Sequence, residues 1–399
     1  MARALRDPDR WRGARCMKSP SSSVPAGHGR DLRLDSIRGG LLLYMALNHT
    51  ESDLRDWLDQ PLGFVTSAEG FVFLSGLLIG SIALRKPLAP VAQIAQARQR
   101  AGRAYLWHAL GLVGVWLWVQ GWLAAGQEIP WRLPYLFHHA PVEGLLAGLS
   151  LLYQPGMLDI LPMYVVFPFL AVGLLRLQRA GWGLVAWFGS TALWVTDQLL
   201  LPARPLEWGP INTGAFHLLA WQWPFASGVL LGAARDEVGA TLRRPKRWLV
   251  GAVAAAAVLL LGVRWFGRPE WWTAEQLAVL TAKPTFGVLR AANFAALAFL
   301  LALAAQRRPR WFEWRPLAVV GQHPLPVFTA SIWSTQLAFS FPGLADSAAG
   351  RWGQTLLVFV AIAATAGGCA FHHRRLRRRR RVPERPDLPA PAAVLVSSR

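Results

Sequence analysis

Apolar residues arrive along this chain in long blocks, not in alternation. Blocks at 62–84, 106–125, 157–177, 182–201, 216–234, 248–266, 288–305, 317–339 and 355–369 each approach the roughly 20 apolar residues that cross hydrocarbon. A further helix through 37–49 brings the expectation to about ten spans. The pattern predicts an all-α, polytopic transmembrane bundle; barrel strands would show short alternating segments instead.

Composition agrees with the blocks. The 399 residues are 53% hydrophobic and 16% charged, against about a quarter charged in soluble chains. The net charge of +20 raises nucleic acid as a partner, but its distribution argues otherwise. Basic residues crowd alternate connections, such as Arg98, Arg100 and Arg103, or Arg243, Arg244, Lys246 and Arg247. The intervening connections hold few. Basic loops stay cytoplasmic, and ten spans put every basic loop inside, with both termini cytoplasmic. The run 374–381 reads as a stop-transfer signal touching anionic lipid. Cys16 and Cys369 then face a reducing compartment, where a disulfide is not expected. No cysteine cluster has metal-ligand spacing, and no metal is expected.

Three regions follow. Residues 1–30 form a polar, basic, disordered arm without the apolar core of a signal peptide. Residues 31–372 form the membrane domain, and 373–399 an Arg- and Pro-rich disordered tail. Segment 90–101 reads as a surface helix under the inner leaflet. Segment 127–155, with His138, His139 and Glu143, reads as an interfacial helix or re-entrant cover on the outer side.

Candidate chemistry lies on the ionisable groups within these blocks, which are costly in a bilayer and usually functional. Asp35 and Arg38 share a helix face. His49 lies fourteen residues beyond Asp35, about 21 Å along a helix. Its ordinary pKa near neutrality suits a general base; a hydrogen-bonded interfacial histidine is the plainer alternative. Glu69, early in the second span, reaches a similar depth and either orients that imidazole or pairs with another outer donor. His108 reads as a packed histidine, and Asp159, entering the fourth span from outside, as a residue that could cap that helix. Lys283 and Arg290 either hold an anionic group or snorkel. Gln222 and His323 complete the set. Phosphate-loop, dinucleotide and hydrolase-elbow signatures are missing from the sequence.

Several segments in order carry a resemblance. They are Arg33-Leu34-Asp35-x-x-Arg38-Gly39 with His49 ending the helix, Glu69-x-Phe71-Val72-Phe73-Leu74-Ser75-Gly76, and Tyr105-x-x-His108. Gln154-Pro155-x-x-Leu158-Asp159-Ile160-Leu161-Pro162-Met163-Tyr164, Trp221-Gln222, Lys283 with Leu289-Arg290, and 321–328 follow. Over about residues 30–372 the chain resembles the OpgC-like osmoregulated periplasmic glucan succinyltransferases. It departs from them at Asn48, where a carboxylate is frequent, and at Pro324, where a serine is usual.

The resemblance implies an O-acyltransferase of the bacterial inner membrane. It would move an acyl group, succinyl by family, from cytoplasmic acyl-CoA to a periplasmic glucan or another envelope sugar, in lipid and beside glucan-synthesis machinery. Carried over by motif, His49, Glu69 and Asp35 would be catalytic. Arg38, with Arg98, Arg100 and Arg103, would hold the CoA phosphates. Asp159, Tyr164, Gln222, Lys283 and Arg290 would meet the substrates. The alternative class is a proton-coupled transporter or flippase of envelope saccharides, since intramembrane Asp, Glu and His also build proton relays. No internal two-fold repeat supports it.

Overall fold

The computed structural model describes residues 31–50, 53–85, 89–126, 134–208, 211–341, 343 and 346–380. The arm at 1–30, including Cys16, the start of the 127–155 segment and the tail beyond 380 lie outside the described residues. Sixteen α-helices follow in chain order among the described residues: α1 Leu32–Asn48, α2 Asp53–Leu58, α3 Ser67–Arg85, α4 Pro90–Ala124, α5 Tyr135–His139, α6 Pro141–Leu149, α7 Leu161–Arg179 and α8 Gly183–Leu200. After the small hairpin of β1 Glu207–Trp208 and β2 Ile211–Asn212 come α9 Leu218–Ala233, α10 Arg235–Arg243, α11 Arg247–Phe266 and α12 Ala274–Leu280. The chain closes with α13 Val288–Arg307, α14 Arg315–Gln322, α15 Pro324–Phe339 and α16 Ala348–Arg380.

Every apolar block thus falls on helix. Among the described residues, five helices are long and apolar enough to cross a membrane: α4, α7, α11, α13 and α16. The outward face of α11 fits lipid: Val258 and Leu259 are 66% and 68% exposed. A helix that is apolar all round and left bare in isolation is one that a bilayer covers.

Three boundaries differ from the sequence reading. The expected surface helix at 90–101 is the first third of α4, which runs unbroken for 35 residues, about 52 Å. No proline interrupts it after Pro90. The expected single span at 317–339 is broken between α14 and α15 at His323-Pro324, because a proline lacks the N–H that would continue the ladder. The last helix continues through the arginine run to Arg380, past the expected boundary at 372.

Close helix packing rests on glycine. A Cβ at Gly76 or Gly80 of α3 would collide with the Phe225 or Val229 carbonyl of α9. A Cβ at Gly228 or Gly232 would collide with the Phe73 or Leu77 carbonyl in return. Reciprocal small-x-x-x-small faces let backbones touch where no hydrophobic effect drives helices together. The pair α1 and α14 repeats this, with Gly39 against Leu317 and Gly321 against Asp35.

Gly321→Ala gains at most about 1 kcal/mol of helix propensity. It forces a methyl into backbone, and overpacking costs about 1–3 kcal/mol or more. The variant should melt below wild type in detergent, whereas Gly251→Ala on α11, with open space around it, should not. Equal melting of both variants would refute this packing.

Candidate functional site

The segment between α4 and α7 builds the site. Gln120 of α4 donates to the Phe137 carbonyl at 2.7 Å and Trp116 to the Pro141 carbonyl at 2.9 Å. Farther back along α4, His108 Nε2 donates to the Gly148 carbonyl at 3.1 Å and Tyr105 Oη to Leu149 at 3.0 Å. Helices α5 and α6 therefore fold back along α4 over fifteen of its residues, about 22 Å. The segment folds back against α4, and His108 is the packed histidine that tethers its tip.

Beyond that tip the backbone turns irregular. Leu151 and Met157 take left-handed conformations, φ 64° and 73°, which cost bulky residues about 1–3 kcal/mol each. Gln154 N donates to Asn212 O and Asn212 N to Leu152 O, both 2.9 Å, so the β-hairpin braces the loop. Irregular backbone is tolerated at membrane depth where it is buried in protein or lines a wet cavity. Here it lines a cavity of about 450 Å³, within the usual range for small-molecule sites.

His49 is on that cavity wall, together with Asn48, Arg55, Tyr135, Tyr153, Asn212 and Gln336. Among the described residues, no side chain hydrogen-bonds its ring. His49 lies past the last residue of α1.

Glu69 is paired elsewhere. Its Oε2 accepts from Thr66 N and Oγ1, each at 2.8 Å, and its Oε1 from Arg290 at 2.6 Å. Arg290 also donates to the Thr281 carbonyl at 2.9 Å. The guanidinium and carboxylate are 4% and 0% exposed. Glu69 and Arg290 thus lock α3 to α13, and both are committed to each other.

Lys283 stands over the Phe216 ring at 4.6 Å. Its turn is held by Trp221 Nε1 on the Lys283 carbonyl, His217 N on Pro284 O and Trp194 Nε1 on Phe286 O. Its charge reaches both His49 and Asp159. Asp159 accepts from Ala215 N at 3.0 Å, which fixes the loop that carries Phe216. Gln222 has its oxygen on Ser190 Oγ and its nitrogen on the Ser190 and Leu219 carbonyls. It clamps α8 to α9, and its amide is occupied.

Toward the other end of α1, Asp35 is 2% exposed and accepts from Gln322 at 3.3 Å. Arg38 stacks on Phe71 at 5.2 Å, and Phe71 meets Tyr164 edge-on at 5.9 Å. Arg98 and Arg103 are on the exposed face of α4. Arg100 lines a smaller cavity of about 90 Å³ with Arg179, Gln93 and Gln96. The two cavities share no lining residue. His323 stacks on His373 at 5.1 Å.

The sequence reading missed Gln336, Tyr135 and Asn212 on the cavity, because each is distant from His49 along the chain. It also missed the buried pair of His217 and Asp197 at 3.3 Å. Among the described residues no group of three His, Cys, Asp or Glu is placed to hold a metal ion.

The family model described as OpgC protein matches residues 30–378. No curated protein and no solved structure matches the chain.

Proposed function

We propose that this chain, which belongs to the OpgC family and is an acyltransferase-like membrane protein, transfers a succinyl group from acyl-CoA to a hydroxyl of a periplasmic glucan in the bacterial inner membrane. The reading takes the apolar blocks as about ten spans, the one at 317–339 crossing as α14 and α15 in succession, with both termini cytoplasmic. One observation carries it: among the described residues, an imidazole without a side-chain hydrogen bond stands on the wall of a cavity that Asn48, Tyr135, Asn212 and Gln336 also line.

The sugar hydroxyl enters that cavity and gives its proton to His49 as its oxygen attacks the thioester carbonyl. The tetrahedral adduct collapses, and the CoA thiolate leaves with the proton. General-base help of this kind is worth about 10²–10⁴-fold. Lys283 receives the free carboxylate of the succinyl group. Arg98, Arg100 and Arg103 take the CoA phosphates at the opposite end of α4, where guanidinium suits phosphate, and Arg38 is the cation between them and His49. Glu69 and Arg290 act through the packing of α3 and α13, and Asp159 through the loop that seats Lys283. Asp35, held by Gln322, has its role at the α1–α14 contact.

The test is purified protein in lipid nanodiscs, given radiolabelled succinyl-CoA and a short neutral gluco-oligosaccharide. The oligosaccharide should gain the mass of one succinyl group; an unchanged mass spectrum sinks the reading. Lys283→Met gives a second check. It should reduce the preference for succinyl over acetyl donors by about tenfold or more, as losing a charge-assisted contact does. Unchanged donor preference would contradict the role of Lys283.

A further inference from the structure

Two residues on the cavity wall carry a side-chain oxygen that is sealed from solvent and has no partner among the described residues. Gln336 of α15 is 4% exposed, and its Oε1 has no hydrogen bond. Its Nε2 has only the Met157 sulfur at 3.8 Å, a weak acceptor, so the amide is lightly held and turns at little cost. Asn48 Oδ1, on the residue before His49, is likewise buried and unpaired. Both residues line the same cavity as His49. Buried acceptors are nearly always satisfied, and an exception calls for a ligand or an ordered water. Two such acceptors, on residues that line the cavity with His49, call for hydrogen-bond donors from a bound ligand.

We propose that Gln336 and Asn48 are acceptor-binding residues, whose carbonyl oxygens receive hydroxyl protons from a neutral sugar ring seated against His49. Neighbouring hydroxyls of a pyranose supply the donors: one satisfies Gln336, one satisfies Asn48, and a third meets the imidazole. The remaining wall suits the same ligand. Tyr135 is 64% exposed and offers a ring face at the cavity edge, and no carboxylate is among the lining residues described. A site built to bond a substrate hydroxyl discriminates strongly, because an analogue without it leaves the buried oxygen unpaired. The proposal rests on the acyl-transfer reading for the identity of the ligand, but its geometry is tested without the donor.

The experiment measures binding of a neutral gluco-trisaccharide by the full-length protein in nanodiscs, with no acyl-CoA present. Gln336→Met keeps the length of the side chain and removes the acceptor. It should weaken binding by about tenfold, the scale of one buried hydrogen bond. Gln336→Glu keeps an acceptor oxygen and should bind within about threefold of wild type. Asn48→Leu gives an independent readout if Gln336→Met fails to fold, and should also weaken binding by about tenfold. Wild-type failure to bind the trisaccharide, or binding by Gln336→Met and Asn48→Leu as tight as wild type, overturns the proposal and leaves the cavity to water. The two readings separate cleanly. Acyl transfer with an unchanged acceptor KM in Gln336→Met removes this subsite and leaves the transferase. Trisaccharide binding that depends on Gln336, without any acyl transfer, removes the transferase and leaves the subsite.

Discussion

Replacing His49 with Ala should abolish acyl transfer while leaving insertion and thermal stability close to wild type. The expected loss is about 10²–10⁴-fold if the imidazole is a general base. The stability half of the prediction comes from the cavity. The ring faces a space of about 450 Å³ and makes no side-chain hydrogen bond to a described residue, so its removal strands no partner and opens no new void in packed core. Most large destabilisations come from those two causes. Measuring the rate and the melting temperature of one preparation checks both halves. Wild-type glucan acylation by the variant would rule out His49 as the base. A collapse in melting temperature would recast it as a structural residue.

The opposite profile is expected at Glu69 and Arg290. Their ion pair, at 2.6 Å and almost without solvent, joins α3 to α13. Removing one partner leaves a buried charge uncompensated, which costs about 3–5 kcal/mol. Arg290→Met alone should therefore lower the melting temperature sharply. Arg290→Met combined with Glu69→Gln should recover most of the loss, because replacing a buried pair together is often near neutral. The double variant should keep measurable acyl transfer, since neither residue lines the cavity that holds His49. If the double variant is as unstable as the single one, the pair is not what holds these helices. If it is stable but as inactive as His49→Ala, Glu69 acts in the chemistry itself.

These two predictions also show how far the sequence could be read. His49 and Glu69 were both recognisable as ionisable groups at similar depth on adjacent helices. A shared depth leaves the rotation of each helix undetermined. The partner of Glu69 lies 221 residues away, and nothing in local spacing selects Arg290 over His49. Gln222 has the same history. Next to Trp221 it reads as a polar contact for substrate, yet a serine on α8 occupies both ends of its amide.

The helices themselves were legible, because a block of apolar residues must satisfy its backbone internally in lipid. Their breaks were less so. Pro324 divides α14 from α15, whereas Pro168 and Pro224 are carried inside α7 and α9. The difference is set by what packs around each turn.

By itself the sequence determined the helical class, the order of apolar blocks and the residues able to ionise within them. Those follow from the cost of moving charge and unpaired backbone into hydrocarbon, which is paid residue by residue. Only the tertiary structure decided which of those groups meet. Gly76, Gly80, Gly228 and Gly232 set α3 against α9, α5 and α6 fold back along α4, and the loop after them opens a cavity at His49. Contact between distant helices depends on their rotation and approach, and those are properties of the packed bundle.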